Sequence, residues 1–532
     1  MLRKVTTILG LMLFAACGEA SAKQDCESLA ALKLTNTTIT LVESVSAGAF
    51  VPTSSVGPPP SFKALPAFCR VTATIKPAKD SDIRVEVWMP SEGWNGKYRG
   101  AGNGGFAGYI NYLETGTALQ RGYATASTDT GHASAQMTDA SWALGHPEKI
   151  TDFGYRAIHE MTRVAKAAIK AYYGSAPRRS YFASCSNGGR QGLMEAQRYP
   201  EDYDGIVVGA PANAFTHEGL WANELAEDFD HGGYIPAAKF PAIAQAVLAA
   251  CDAIDGVTDG IINDPRQCQF KPEVLLCTQG DSQACLTAPQ VTTLKKLYAG
   301  PHDSKGKQVF PGYLPGAEDG PGGMASWMAG PAPGNGVAFA FNQGLNANMV
   351  YGKADWNLHD AGLDEVVKAD DAKLARILNA TDANLAAFKA RGGKLIIYHG
   401  WSDPALSPLN TINYYESLVS TMGRDATEDF ARLFMVPGMQ HCVGGPGPDS
   451  FGQPLGISAG IPHDAQHDIQ QALEQWVENA IPPTSLIATK YVDGNASKGV
   501  KMTRPLCPYP QVAAWTGKGN SDDAANFACK VP

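Results

Sequence analysis

The stretch Tyr181-Phe-Ala-Ser-Cys-Ser-Asn-Gly-Gly-Arg-Gln-Gly192 constrains the fold more than any other part of the chain. A strand-like apolar run turns sharply at Ser186 and enters a glycine-rich helix start, the arrangement that lifts a serine hydroxyl clear of the backbone for nucleophilic attack. Ser184 stands two residues before Ser186, where the usual G-x-S-x-G pattern has glycine, and Gly188 stands two after. The alternative reading is an ordinary loop serine. A cysteine, Cys185, directly precedes Ser186, and another, Cys442, directly follows His441.

Around this turn the chain alternates strands and helices. Apolar, β-rich runs at Phe68–Ile75, Ile83–Met89, Lys97–Ala101 and Gly122–Thr128 read as strands. Helical spacing of apolar residues follows over Tyr155–Tyr173, then the strand Ser180–Ala183, a helix through Ala196 and a buried-strand run at Gly205–Pro211. Such alternation implies an α/β fold with a parallel sheet. From Asn213 to Arg391 the chain is Gly/Pro-rich with no clear strand run, too long to be structureless. It is expected to be an inserted lid over the carboxyl edge of the sheet. Buried-strand runs resume at Lys394–Tyr398 and Arg432–Val436, and Thr503–Pro510 reads as a proline-rich surface segment. The expected division is a signal peptide at 1–22, a core at 23–212, the lid at 213–391, and a second core part with the tail at 392–532.

The two late strands each end in a polar residue, Asp403 and His441. Chain order Ser186, Asp403, His441 is the α/β-hydrolase order of nucleophile, acid and base. Asp403 as a helix cap and His441 as a structural histidine are the plainer readings, and His399 is a rival base. Oxyanion donors are expected from the backbone N–H of Asn187 and from Gly102 in the loop Gly100–Gly105. No P-loop lysine or dinucleotide fingerprint accompanies those glycines, so no organic cofactor is expected.

A net charge of -9 argues against nucleic acid as a partner. Arg3 and Lys4 followed by the apolar run Ile8–Ala16 and by Ala20-Ser21-Ala22 form an export signal, too short to span a bilayer in the mature chain. The product is expected to be periplasmic or secreted; lipidation at Cys17 is the competing outcome. No later stretch is apolar enough to cross a membrane. Of eleven cysteines, ten lie in the mature chain, an even number suited to disulfides in an oxidising compartment. Parity leaves about 945 pairings. Spacing suggests Cys26–Cys69, Cys251–Cys268, Cys277–Cys285 and Cys507–Cys529, leaving Cys185 with Cys442; a buried free thiol at Cys185 is the other reading. Asp252, Asp255 and Asp259, interleaved with glycines, present hard oxygens to calcium or simply build an Asp-Gly turn cluster.

Several motifs together resemble the tannase and feruloyl esterase family: Cys185–Gly189, Tyr203–Pro211, Cys251–Gly260, His399–Asp403, Pro437–Cys442 and Arg504–Pro510. The resemblance spans nearly the whole mature chain. It implies an α/β-hydrolase fold with a large inserted lid, a Ser186–Asp403–His441 triad and a Cys185–Cys442 disulfide. It also implies a structural Ca2+ in the lid, bound by Asp252, Asp255 and Asp259 and by the carbonyls of Val257 and Ile261. The implied substrates are small esters of aromatic acids: gallate, hydroxycinnamates or, in one branch, the terephthalate monoester of ethylene glycol. No arginine lies between Arg266 and Arg376 to pair a free carboxylate, which weighs against that branch, although Lys353 or backbone donors can substitute. Trp221, Trp327, Phe339, Phe341 and Trp356 either sandwich a phenolic ring or fill the lid core. Acyl transfer to another alcohol shares the same intermediate, and a non-catalytic binding protein on this scaffold is the remote alternative.

Overall fold

A computed structural model of the chain describes residues 23–52, 62–456 and 460–532. The expected signal peptide and Cys17 lie outside the described residues. The centre is a nine-stranded sheet, built from β1 (Thr37–Val45), β2 (Phe68–Ile75), β3 (Ile83–Pro90), β4 (Lys97–Ala101), β5 (Ala124–Thr128), β6 (Arg179–Cys185), β7 (Gly205–Gly209), β8 (Lys394–Gly400) and β9 (Ala431–Val436). Their order is β1-β2-β3-β5-β4-β6-β7-β8-β9. The pairs among β1, β2, β3 and β5 are antiparallel, and those from β5 through β9 are parallel.

Strands covered on both faces read as continuous apolar runs. All of β7 is buried, as is β8 after its first residue. Alternation along each strand sorts side chains to opposite faces. Phe182, Ile206, Val208, Leu395 and Ile397 join the helix Ala157–Tyr173 in one cluster. Tyr181, Ala183, Val207, Ile396 and Tyr398 join the helix Ile469–Asn479 in another. The first helix buries Ile158, Met161, Val164, Ala165, Ala168 and Ile169 and stops at Gly174, whose φ of 72° supplies the left-handed cap.

Between β7 and β8 the chain forms helices, among them Trp221–Asp230, Phe240–Cys251, Ala288–Ala299, Val337–Gly344 and Leu363–Leu378. Trp221, Phe240, Leu294, Tyr313, Met324 and Phe339 give it a hydrophobic cluster of its own. Leu374 and Leu378 instead pack with Phe106 and Phe153. Among the described residues one helical stretch, Ala237–Asp255, is long and apolar enough to cross a membrane by length and composition. Its Phe240, Ile243, Val247 and Cys251 pack into that cluster.

Besides the apolar stretch Ala237–Asp255, which the sequence reading did not expect, two further features depart from that reading. β1 precedes every strand expected there: it adds antiparallel to β2, and Cys26–Cys69 closes beside it. The segment Thr503–Pro510 is not a surface segment, because Arg504–Cys507 is buried and its first half lies in the strand Val500–Leu506, paired with Leu486–Tyr491. Antiparallel pairing with the strand adjacent in sequence decides both, and neither segment carries the clean apolar alternation that would announce it.

Candidate active site

Ser186 sits between β6 and the helix Asn187–Arg198, with φ 64° and ψ -128°. For a residue with a Cβ this backbone costs about 1–3 kcal/mol and persists only when its surroundings enforce it. Ser186 N–H donates to Gly209 O (2.9 Å), and its carbonyl accepts from Arg190 N (3.1 Å) and Ala212 N (3.2 Å). A Cβ at Gly188 would collide with Ser184 Oγ, and one at Gly189 would meet Gly209 O and Pro211. The Ser186 hydroxyl does not cap its own helix.

Each parallel strand ends at the same sheet edge, so β8 delivers Asp403 and β9 delivers His441 beside β6. His441 Nδ1 lies 2.7 Å from Asp403 Oδ2, and His399 Nε2 lies 3.0 Å from the same oxygen. Asp403 Oδ1 accepts from the N–H groups of Ala405 (2.8 Å) and Leu406 (3.0 Å). Burial alone would raise the Asp403 pKa, but the charge of His441 and the hydrogen bonds from both histidines hold it well below the usual carboxylate range. An ionised carboxylate only accepts, so His441 Nδ1 and His399 Nε2 both carry hydrogen. In the neutral tautomer that carries hydrogen on Nδ1, His441 Nε2 is the ring's acceptor. His399 Nδ1 accepts from Thr411 Oγ1 (2.7 Å), which fixes the buried imidazole. His399, read as a rival base or pocket wall, is thus tied to the acid.

Cys185 and Cys442 are joined, with Cα atoms 6.0 Å apart. This bond links the neighbour of Ser186 to the neighbour of His441. The other four disulfides are Cys26–Cys69, Cys251–Cys268, Cys277–Cys285 and Cys507–Cys529. Five disulfides are the mark of an oxidising compartment.

Asn187 opens its helix, where backbone N–H groups lack intrahelical acceptors. Gly102 lies in the neighbouring loop; a Cβ there would run into Gln191 Oε1, Phe182 and Ser184 Oγ. The next N–H, of Asn103, is already used by Gln191 Oε1 (3.0 Å). Arg190, fully buried, donates to Asn187 Oδ1 (2.7 Å) and to the carbonyls of Phe153, Gly154 and Leu378. The motif contains Arg190, but no sequence pattern marks it as an anchor.

An aromatic series leads away from the histidine. Trp327 meets the His441 ring edge-on with centroids 5.5 Å apart, stacks with Phe341 at 6.4 Å, and Phe341 lies 5.3 Å from Phe106. Trp327 and Phe341 are half-buried, whereas Trp221, Phe339 and Trp356 are buried. Glu218 adds a carboxyl the sequence did not flag. Asn410 donates to its Oε1 (3.1 Å), and burial followed by the nearby negative charge of Asp403 raises its pKa well above normal.

The 252–261 loop folds on itself. Asp252 accepts from Asp259 N and Gly260 N, Asp255 Oδ1 from Val257 N, and Asp259 Oδ1 from Ile261 N. Arg504 pairs with Asp259 at 2.6 Å. Burial, with repulsion between neighbouring carboxylates, raises the pKa of Asp255 and Asp259. Of the three carboxylates only Asp259 pairs with the guanidinium, and carboxylate oxygens are the hard donors that suit calcium.

Residues 69–530 match the family model for tannase and feruloyl esterase. An uncharacterized esterase of Xanthomonas campestris pv. campestris is 45% identical over 96% of this chain and 92% of its own length. A "probable feruloyl esterase B" of Aspergillus clavatus is 31% identical over 98% of this chain and 99% of its own. The crystal structure of feruloyl esterase B from Aspergillus oryzae superposes with a TM-score of 0.87 at 29% identity, covering 95% of this chain and 99% of that one. Tannin acyl hydrolase from Aspergillus niger shares the fold, with a TM-score of 0.73 at 23% identity. The chain belongs to the tannase and feruloyl esterase family and is a carboxylic ester hydrolase.

Proposed function

We propose that this enzyme cleaves esters of phenolic acids, hydroxycinnamates foremost, through a Ser186–His441–Asp403 triad and an acyl-enzyme. The observation that carries the reading is the Cys185–Cys442 bond together with the 2.7 Å contact of His441 with Asp403. Ser186 Oγ attacks the ester carbonyl as His441 Nε2 takes its proton, and Asp403 stabilises the imidazolium. The N–H groups of Asn187 and Gly102 hold the oxyanion. His441 then protonates the leaving alcohol, and water, deprotonated by the same nitrogen, releases the acid. The half-buried faces of Trp327 and Phe341 give an aromatic acyl group a surface to stack on.

In this reading residues 213–391 act as a lid, and Asp252, Asp255 and Asp259, with the Val257 and Ile261 carbonyls, hold a structural calcium whose role is to brace the loop. Export to the periplasm or medium, with residues 1–22 as the signal, fits the five disulfides. The test is a panel of methyl ferulate, methyl gallate, chlorogenate, the terephthalate monoester and an aliphatic ester, run with wild type and Ser186→Ala. The variant is expected to lose essentially all turnover, and methyl ferulate to lead the panel. Full activity in Ser186→Ala overturns the mechanism; preference for the aliphatic ester overturns the substrate class.

A further inference from the structure

On the sheet face covered by the helix Ala157–Tyr173, His159, Glu195 and Asp202 place an imidazole nitrogen and two carboxylate oxygens within 4.8 Å of one another. They come from three places: the helix Ala157–Tyr173, the helix Asn187–Arg198 that begins at Ser186, and the turn leading into β7. Glu195 is 1% exposed, and among the described residues no donor hydrogen-bonds either of its carboxylate oxygens; its polar neighbour is the Asp202 carboxyl. A buried carboxylate without partners is costly unless it is neutralised by a proton or by a cation. His159 Nδ1 already contacts Asp202 Oδ2 at 2.6 Å, and Tyr199 stacks on the His159 ring at 4.0 Å, fixing its plane. The nearby ammonium of Lys166 is engaged by the backbone carbonyl of Asp202 (2.5 Å). No ion pair joins it to either carboxylate among the described residues. Burial raises the Glu195 pKa, with the charge of Asp202 and a hydrogen bond to its carboxyl adding to it and the charge of Lys166 opposing it.

We propose that this cluster is a binding site for a zinc-class divalent cation, distinct from the calcium loop, that ties the two helices and the turn together behind the nucleophile. One imidazole and two carboxylates are a donor set that suits zinc. Donor atoms on a tetrahedral ion stand about 3.4 Å apart, so closure needs shifts of about an ångström. A second grouping of ligand-type side chains among the described residues, Cys277, Asp281 and Cys285, has both sulfurs in a disulfide.

The experiment is equilibrium dialysis of the full-length mature chain against micromolar Zn2+ with millimolar Ca2+ present to occupy the calcium loop. Wild type is expected to retain one Zn2+ per chain and to unfold at a higher temperature with zinc than without it. Glu195→Gln and His159→Gln, each checked for fold by circular dichroism, are expected to bind at least tenfold more weakly and to lose the thermal shift. If Glu195→Gln does not fold, the half-exposed His159→Gln carries the comparison alone. Zinc uptake by wild type no greater than by the variants overturns the proposal, and Glu195 and Asp202 are then a proton-sharing pair.

Discussion

Asp403 and the pair Asp255 and Asp259 are all withdrawn from water, and they respond in opposite directions. Asp403 meets two imidazoles and two backbone N–H groups, and its pKa falls despite complete burial. Asp255 and Asp259, only half-buried, have one guanidinium between them and their neighbour Asp252, and their pKa values rise. Burial sets the cost in both places; the partners set the sign. The first region is electrostatically complete as the chain folds, while the second is left short of positive charge.

Four measurements press on this contrast, from the largest effect to the smallest. Asp403→Asn removes the charge that orients His441 and is expected to lower kcat by about 10⁴ with the fold intact, read by steady-state kinetics. Retention of more than a tenth of the activity would mean that the acid is not needed. Replacing Cys185 and Cys442 by serine is expected to cost about 2–4 kcal/mol of stability and, through misplacement of His441 against Ser186, about 10²-fold in kcat below the unfolding temperature. Equal kcat in the double variant would show that the bond serves stability alone.

Chelation of calcium is expected to lower Tm by about 5 °C, with recovery on adding Ca2+. Asp255→Asn should abolish the response; an unchanged Tm in wild type would remove the ion from the loop. The smallest effect concerns Asp370, whose two oxygens are buried without partners and whose pKa is pushed up to about 8 by burial and by Asp371. Between the ordinary carboxylate range and that value the folded chain holds a proton the unfolded chain has released. Stability therefore falls as pH rises across this window. Asp370→Asn is expected to flatten that slope in denaturant titrations from pH 5 to 8.

Legibility in the sequence followed the range of the interactions. The turn at Ser186, the strands on either side of it and the helix after it are written locally, in small residues and apolar periods, and the structure has them where the sequence puts them. Cysteine spacing likewise pointed to four of the five pairs that form, and elimination left the fifth, Cys185–Cys442. Hidden from it were β1, whose Thr37–Val45 lacks a clean alternation, and the burial of Arg504, which depends on Asp259 some 245 residues away. The second contact of Asp403, through His399 to Thr411, was equally out of reach, because it needs the helix Pro408–Met422 packed beside β8. The approach of Trp327 to His441 was not readable either, since it depends on how the intervening helices lie over the sheet edge.

The Cys185–Cys442 bond spans 257 residues of sequence. Topologically, it makes the whole stretch from β7 through β9 a covalent ring. A protease that cuts once anywhere inside that ring leaves Ser186 and His441 in one molecule, separable only after reduction. Long insertions, deletions or exchanges of the helical stretch between β7 and β8 are tethered in the same way. The ring gives this enzyme a place where sequence can be rewritten while Ser186 and His441 stay leashed to each other.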